Sequence, residues 1–165
     1  MNRLFNLTLG CALLLLPFSP IYAQKEKKEE LKNKIENAID HQEFKIDVKT
    51  ANPQRGRTMF LTSSYSIELR NDSLFSQLPF YGRAYSIPYG GGQGLVFNAP
   101  YSDYTVKKGK KEDRYTITLK ANSEEDKHTY QITIFDNGSV SLTVNSHNRE
   151  TISFNGDIDL TKEDE

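Results

Sequence analysis

Residues Leu78–Gly94 read LPFYGRAYSIPYGGGQG and gather in one stretch the side chains of this chain best suited to recognition. Phe80, Tyr81, Tyr85 and Tyr89 offer apolar ring area, and the tyrosines add hydroxyl handles. Arg83 brings a planar guanidinium that stacks on aromatic rings or forks onto a carboxylate. That chemistry is binding of a small apolar or aromatic ligand, so Tyr81, Arg83, Tyr85 and Tyr89 are the candidate ligand-binding residues. Pro79 and Gly82 read as structural. Proline cannot donate to a sheet ladder and ends a strand at Leu78. Gly82, between bulky neighbours, marks a backbone conformation that a side chain would hinder. Pro88 and the glycines Gly90, Gly91, Gly92 and Gly94 make a permissive loop. Two roles stand open. The stretch is a corner whose aromatics plug one end of the fold while Arg83 pairs with a carboxylate or carbonyl, or it is a mouth in which tyrosines line a site.

Catalytic chemistry finds no comparable foothold. His41, His128 and His147 never meet at metal-ligand spacing, and all three read as surface residues. GGGQG leads into the strand-like LVF, with no Lys-Ser/Thr after it and no helix N-terminus, so it is no phosphate loop. Nucleophile-elbow, HExxH and Walker patterns are missing from the sequence. The expectation is a protein that is not an enzyme, with no metal and no cofactor.

The elements that position these residues follow from periodicity. Between Lys25 and Gln42, KEKKEELKNKIENAIDHQ places Leu31, Ile35, Ala38 and Ile39 on a narrow helical stripe, suited to docking outside a larger body. From Glu43 onward the period becomes two. FKIDV, YSIELR, RYTITLK, TYQITIF, VSLTV and TISF alternate apolar and polar residues as half-buried antiparallel strands do. DNGS (Asp136–Ser139) predicts a type I′ hairpin, RNDS a turn, and FNGD a turn or bulge. With no helical crossovers, the expected fold is mainly β: an antiparallel meander of about eight strands forming a barrel or sandwich, with one N-terminal helix.

At the N-terminus, Arg3, the apolar run Leu4–Leu16 and Ala23 in IYAQ match an export signal ending at residue 23. The apolar run is shorter than a membrane span, so no stable span is expected after its removal. Cys11 lies inside the apolar run and not at its end, which argues against acylation. It is the chain's one cysteine, so the mature chain has neither disulfides nor a thiol nucleophile. The predicted organisation is residues 1–23 as signal, 24–42 as charged helix and 43–165 as one β-barrel domain. Lys plus Arg number 21 and Asp plus Glu 22, interspersed, which gives no electrostatic case for nucleic acid.

LPFYGRAYSIPYGG, followed by LVF, SDYTV, FDNGSVSLTV and NRETISFNGDI, closely resembles the exported Bacteroidetes proteins grouped as domain of unknown function 4251. The likeness spans essentially the whole mature chain. It implies a location in the bacterial periplasm or envelope and a lipocalin-like β-barrel behind a short helix. It carries over no catalytic residues. The functional expectation is a non-catalytic binding module for a small apolar or aromatic ligand in a β-barrel. The alternative is a structural or protein-interaction domain of the envelope, its barrel filled by its own side chains and its partner an envelope protein.

Overall fold

The computed structural model describes residues 20–86, 94–110 and 113–161. Helix α1 (Pro20–His41) precedes eight strands: β1 (Phe44–Pro53), β2 (Met59–Arg70), β3 (Ser73–Leu78), β4 (Leu95–Lys108), β5 (Arg114–Asn122), β6 (Lys127–Phe135), β7 (Ser139–Ser146) and β8 (Ile152–Asp159). Each strand pairs antiparallel with the next, and β8 returns to β1, so the sheet closes into a barrel. The alternating runs account for this directly. One side chain in two points inward, and those residues form one core.

Register stacks the inward residues in layers. Ile117, Ile132, Leu142, Phe154 and Ala51 follow one another around the wall through successive pairs. Leu119, Tyr130, Val144 and Ile152 form the layer next to it. All nine are buried, and Tyr130 and Phe154 are the largest fully buried side chains. These inward side chains belong to a single buried cluster within the eight-stranded wall.

The DNGS turn differs from its predicted type, while RNDS is a turn and FNGD faces a bulge as expected. At the β6–β7 turn only Gly138 lies at positive φ (85°), and its N–H bonds to the Phe135 carbonyl at 2.9 Å. That is the three-residue form, a turn followed by a left-handed glycine, and not type I′. The two-residue turn with both φ angles positive is at Asn71 (50°) and Asp72 (55°). Asn and Asp tolerate the left-handed region through local side-chain hydrogen bonding, so this turn forms without glycine. FNGD lies within β8, facing a bulge in β1, where the register steps from Val48 to Thr50 while β8 advances one residue.

The predicted helix is present but begins at Pro20 instead of residue 24. It is also not docked outside the barrel. Its stripe lies across one end. Leu31 sits against the β6–β7 turn at Gly138, and Lys28 pairs with Asp136 at 2.8 Å. Tyr104 donates to the Ile39 carbonyl at 3.0 Å, and Tyr101 to Gln42 Oε1 at 2.8 Å. Tyr115 donates to Glu36, which also meets Lys108 at 2.9 Å. Ile35 and Ile39 thereby join the barrel core. Gln42 at φ 58° stops the helix, and the Glu43 N–H bonds back to the Ala38 carbonyl.

Candidate functional site

The other end of the barrel carries the sequence's candidate residues. There the β1–β2 connection, the segment after β3, the β5–β6 connection and the β7–β8 connection meet. β3 stops at Leu78, immediately before Pro79, as a residue without an N–H requires. Beyond it, residues 83–85 lie along the β7–β8 connection as a short added strand. Ala84 bridges Arg149, the Glu150 N–H bonds to the Arg83 carbonyl at 2.9 Å, and the Tyr85 N–H to the Asn148 carbonyl at 2.7 Å.

Two adjacent residues fasten this strap from below. Glu150 is 5% exposed; its Oε2 accepts the Arg83 N–H at 3.1 Å and its Oε1 lies 3.5 Å from Arg55 Nε. Arg149, also buried, donates to Glu125 at 2.8 Å and lies over the Phe80 ring at 5.4 Å. Arg149 Nε is buried without a hydrogen-bond partner. Asp126 accepts the Asn148 N–H at 3.0 Å and the Lys127 N–H at 2.8 Å, which fixes the two connections against each other.

Next to this cluster His128 faces into the barrel and not, as expected, to solvent. It occupies the end layer through the pairs Ala121–His128 and His128–Ser146. Its Nδ1 is 2.8 Å from Ser146 Oγ, its Nε2 is 3.1 Å from Ser123 Oγ, and its ring stacks on Phe97 at 4.8 Å. Burial lowers its pKa, and the Arg149 charge adds to the effect against Asp126 and Glu125. Tyr130 donates to Ser76 Oγ at 3.0 Å, and burial raises its pKa.

The corner expectation needs two corrections. Gly82 is not among the glycines at positive φ. What opposes a side chain there is crowding, since a Cβ would lie 3.0 Å from Phe80 Cζ, which would have to give way. Among the described residues Arg83 contributes to the corner through its backbone. Its side chain is exposed, and the ion pairs at this end belong to Arg55 and Arg149.

Above the strap a groove of ≈ 430 Å³ opens between the β1–β2 connection and residues 81–83. Tyr81, Gly82 and Arg83 form one wall, while Arg55, Arg57 and Met59 belong to the other, with Glu150 between them. Of the predicted binding residues, Tyr81 and Arg83 therefore come together. Tyr85 is 71% exposed and outside the groove lining, and Tyr89 lies outside the described residues. Sequence reading missed Arg55, Arg57, Glu150 and His128. His128 had a signal, because period two carried back from Ile134, Ile132 and Tyr130 reaches it.

The arrangement offers recognition chemistry. Among the described residues no three His, Cys, Asp or Glu side chains converge to hold a metal ion. No helix among them is long and apolar enough to cross a membrane. A family model, Domain of unknown function (DUF4251), matches residues 26–158. Among solved structures the chain is similar to a DUF4251 family protein from Bacteroides eggerthii, with TM-score 0.62 and 16% identity, over 82% of this chain and 91% of that one. At that identity the likeness is one of fold. No curated protein matches the chain.

Proposed function

Since the chain belongs to the DUF4251 family, whose function is unknown, we propose from its own site that it is a non-catalytic binding module of the periplasm or cell envelope. It takes its ligand on the barrel rim and not inside the barrel. One observation carries this reading: a groove of ≈ 430 Å³ lies against Tyr81–Arg83, while inward side chains occupy the barrel axis. That volume suits a small molecule. Tyr81 and Met59 supply apolar surface, and two glycines, Gly56 and Gly82, let a ligand approach the backbone.

A second reading, a protein-interaction domain, has its own support. Phe60 is 83% exposed on β2 and Tyr85 71% exposed beside the strap. Aromatic side chains at that exposure are common anchors at protein interfaces.

Mass spectrometry of protein purified from its own periplasm tests the first reading. A small molecule is expected to co-purify with the parent and to be lost from a Met59→Ala/Tyr81→Ala variant of unchanged melting temperature. A co-purifying envelope protein with no small molecule favours the second reading. Intact mass tests export. A chain starting at Gln24 is expected, and one retaining Met1 or carrying an acylated Cys11 refutes that part.

A further inference from the structure

We propose that the ligand of the rim groove is an amphipathic organic anion, with a carboxylate or sulfonate head on Arg57 and Arg83 and an apolar body on Met59 and Tyr81. This rests on the rim-groove reading above and adds the class of ligand. The charge count motivates it. The groove lining holds three arginines and one carboxylate, Glu150. That carboxylate is already engaged. Its two oxygens serve the Arg83 N–H and the Arg55 guanidinium.

No carboxylate among the described residues pairs with the Arg57 or Arg83 side chain, and both are exposed. Among the described residues these two guanidinium groups, without a carboxylate partner, therefore border a groove that also presents Pro53, Met59 and the Tyr81 ring, while Arg55 and Glu150 serve each other. Guanidinium groups present paired N–H donors in the geometry of an oxyanion, and charge-assisted bonds of this kind are the strong ones. A neutral apolar ligand would leave both cations without a counter-charge. A bare inorganic anion would leave Met59, Pro53 and the Tyr81 ring uncovered. An anion joined to an apolar body satisfies both parts of the lining.

Fluorescence titration with anilinonaphthalene sulfonate, an aromatic sulfonate, tests the class. Neutral N-phenylnaphthylamine serves as the matched uncharged probe. Saturable binding of the sulfonate is expected, with the neutral probe at least tenfold weaker. Arg57→Ala and Arg83→Ala should each weaken sulfonate binding roughly tenfold, the loss of one hydrogen bond to a charged group. The corresponding Lys variants should recover part of it. Both side chains are exposed, so melting temperatures should hold. The parent protein gives an independent reading, because added salt should weaken the sulfonate interaction by screening. Sulfonate binding indifferent to salt and to both substitutions overturns the proposal. A neutral probe that binds as tightly, and is lost with Met59→Ala/Tyr81→Ala, overturns the anion class and leaves the rim groove standing. Absence of saturable binding by either probe overturns the proposal and the rim reading together.

Discussion

Gly82 and Arg83 are neighbours in sequence with opposite duties, and substitution should separate them. A valine at Gly82 must push against the Phe80 ring, which Arg149 already covers. Overpacking of that kind should destabilise by about 1–3 kcal/mol, read as a lower urea midpoint at constant m-value. Arg83→Ala removes an exposed side chain and leaves its N–H and carbonyl on Glu150, so stability should change by less than about 0.5 kcal/mol. His128 makes a pH prediction. Its folded pKa is lowered from 6.5, so the unfolded chain takes up a proton that the folded one resists. Its contribution to stability is complete above pH 6.5 and is lost as pH falls from there toward the lower folded value. His128→Gln should flatten the melting temperature between about pH 6.5 and 5, while the parent declines. An unflattened profile in the variant would place the acid sensitivity elsewhere. The strap residues Arg149 and Glu150 were invisible to sequence reading for a physical reason. An ion pair is recognised only when its partners are placed, and NRE looks like any polar turn.

At the scale of elements, the barrel end under α1 is sealed by few side chains. Ile35→Ala and Ile39→Ala should each cost about 2–5 kcal/mol, because each removes a buried side chain that no neighbour can replace. The sum approaches the whole stability of an ordinary domain, about 5–15 kcal/mol. The double variant should therefore unfold at low urea concentration while each single variant stays folded. The helix itself was legible, since Leu31, Ile35, Ala38 and Ile39 recur at its period. Its position was not, because a narrow stripe says how much surface it covers and not which surface. The β1 bulge sets a tighter constraint. A Cβ on Gly156 would overlap the Asp47 carbonyl oxygen, so backbone and not a movable side chain is in the way. Gly156→Ala should destabilise by about 3 kcal/mol, the upper end of ordinary overpacking, measured by thermal or urea unfolding.

Across the whole molecule, period two marks six of the eight strands, because each inward residue leaves a local mark, whereas β3 and β4 carry no such run in the sequence reading. Closure leaves no such mark. The β1–β8 seam joins Lys45 to Asp159 and Pro53 to Ile152, the first strand to the last. The groove escapes notice for the same reason, since Arg55, Tyr81 and Glu150 come from three separate connections. The seam also bears on how the protein must be made. A nascent chain emerges N-terminus first, so β1 waits with one row of N–H and C=O groups unanswered until residues 152–159 arrive. Until then the sheet has two open templates, on β1 and on β7, each able to recruit a strand from another molecule. A chain ending at Thr151 should consequently accumulate as aggregate, read by sedimentation, and not as a barrel short of one strand. For this protein the arrival of residues 152–159 decides between a closed sheet and one with two sticky margins, which makes any delay before they appear a hazard that a chaperone would have to cover.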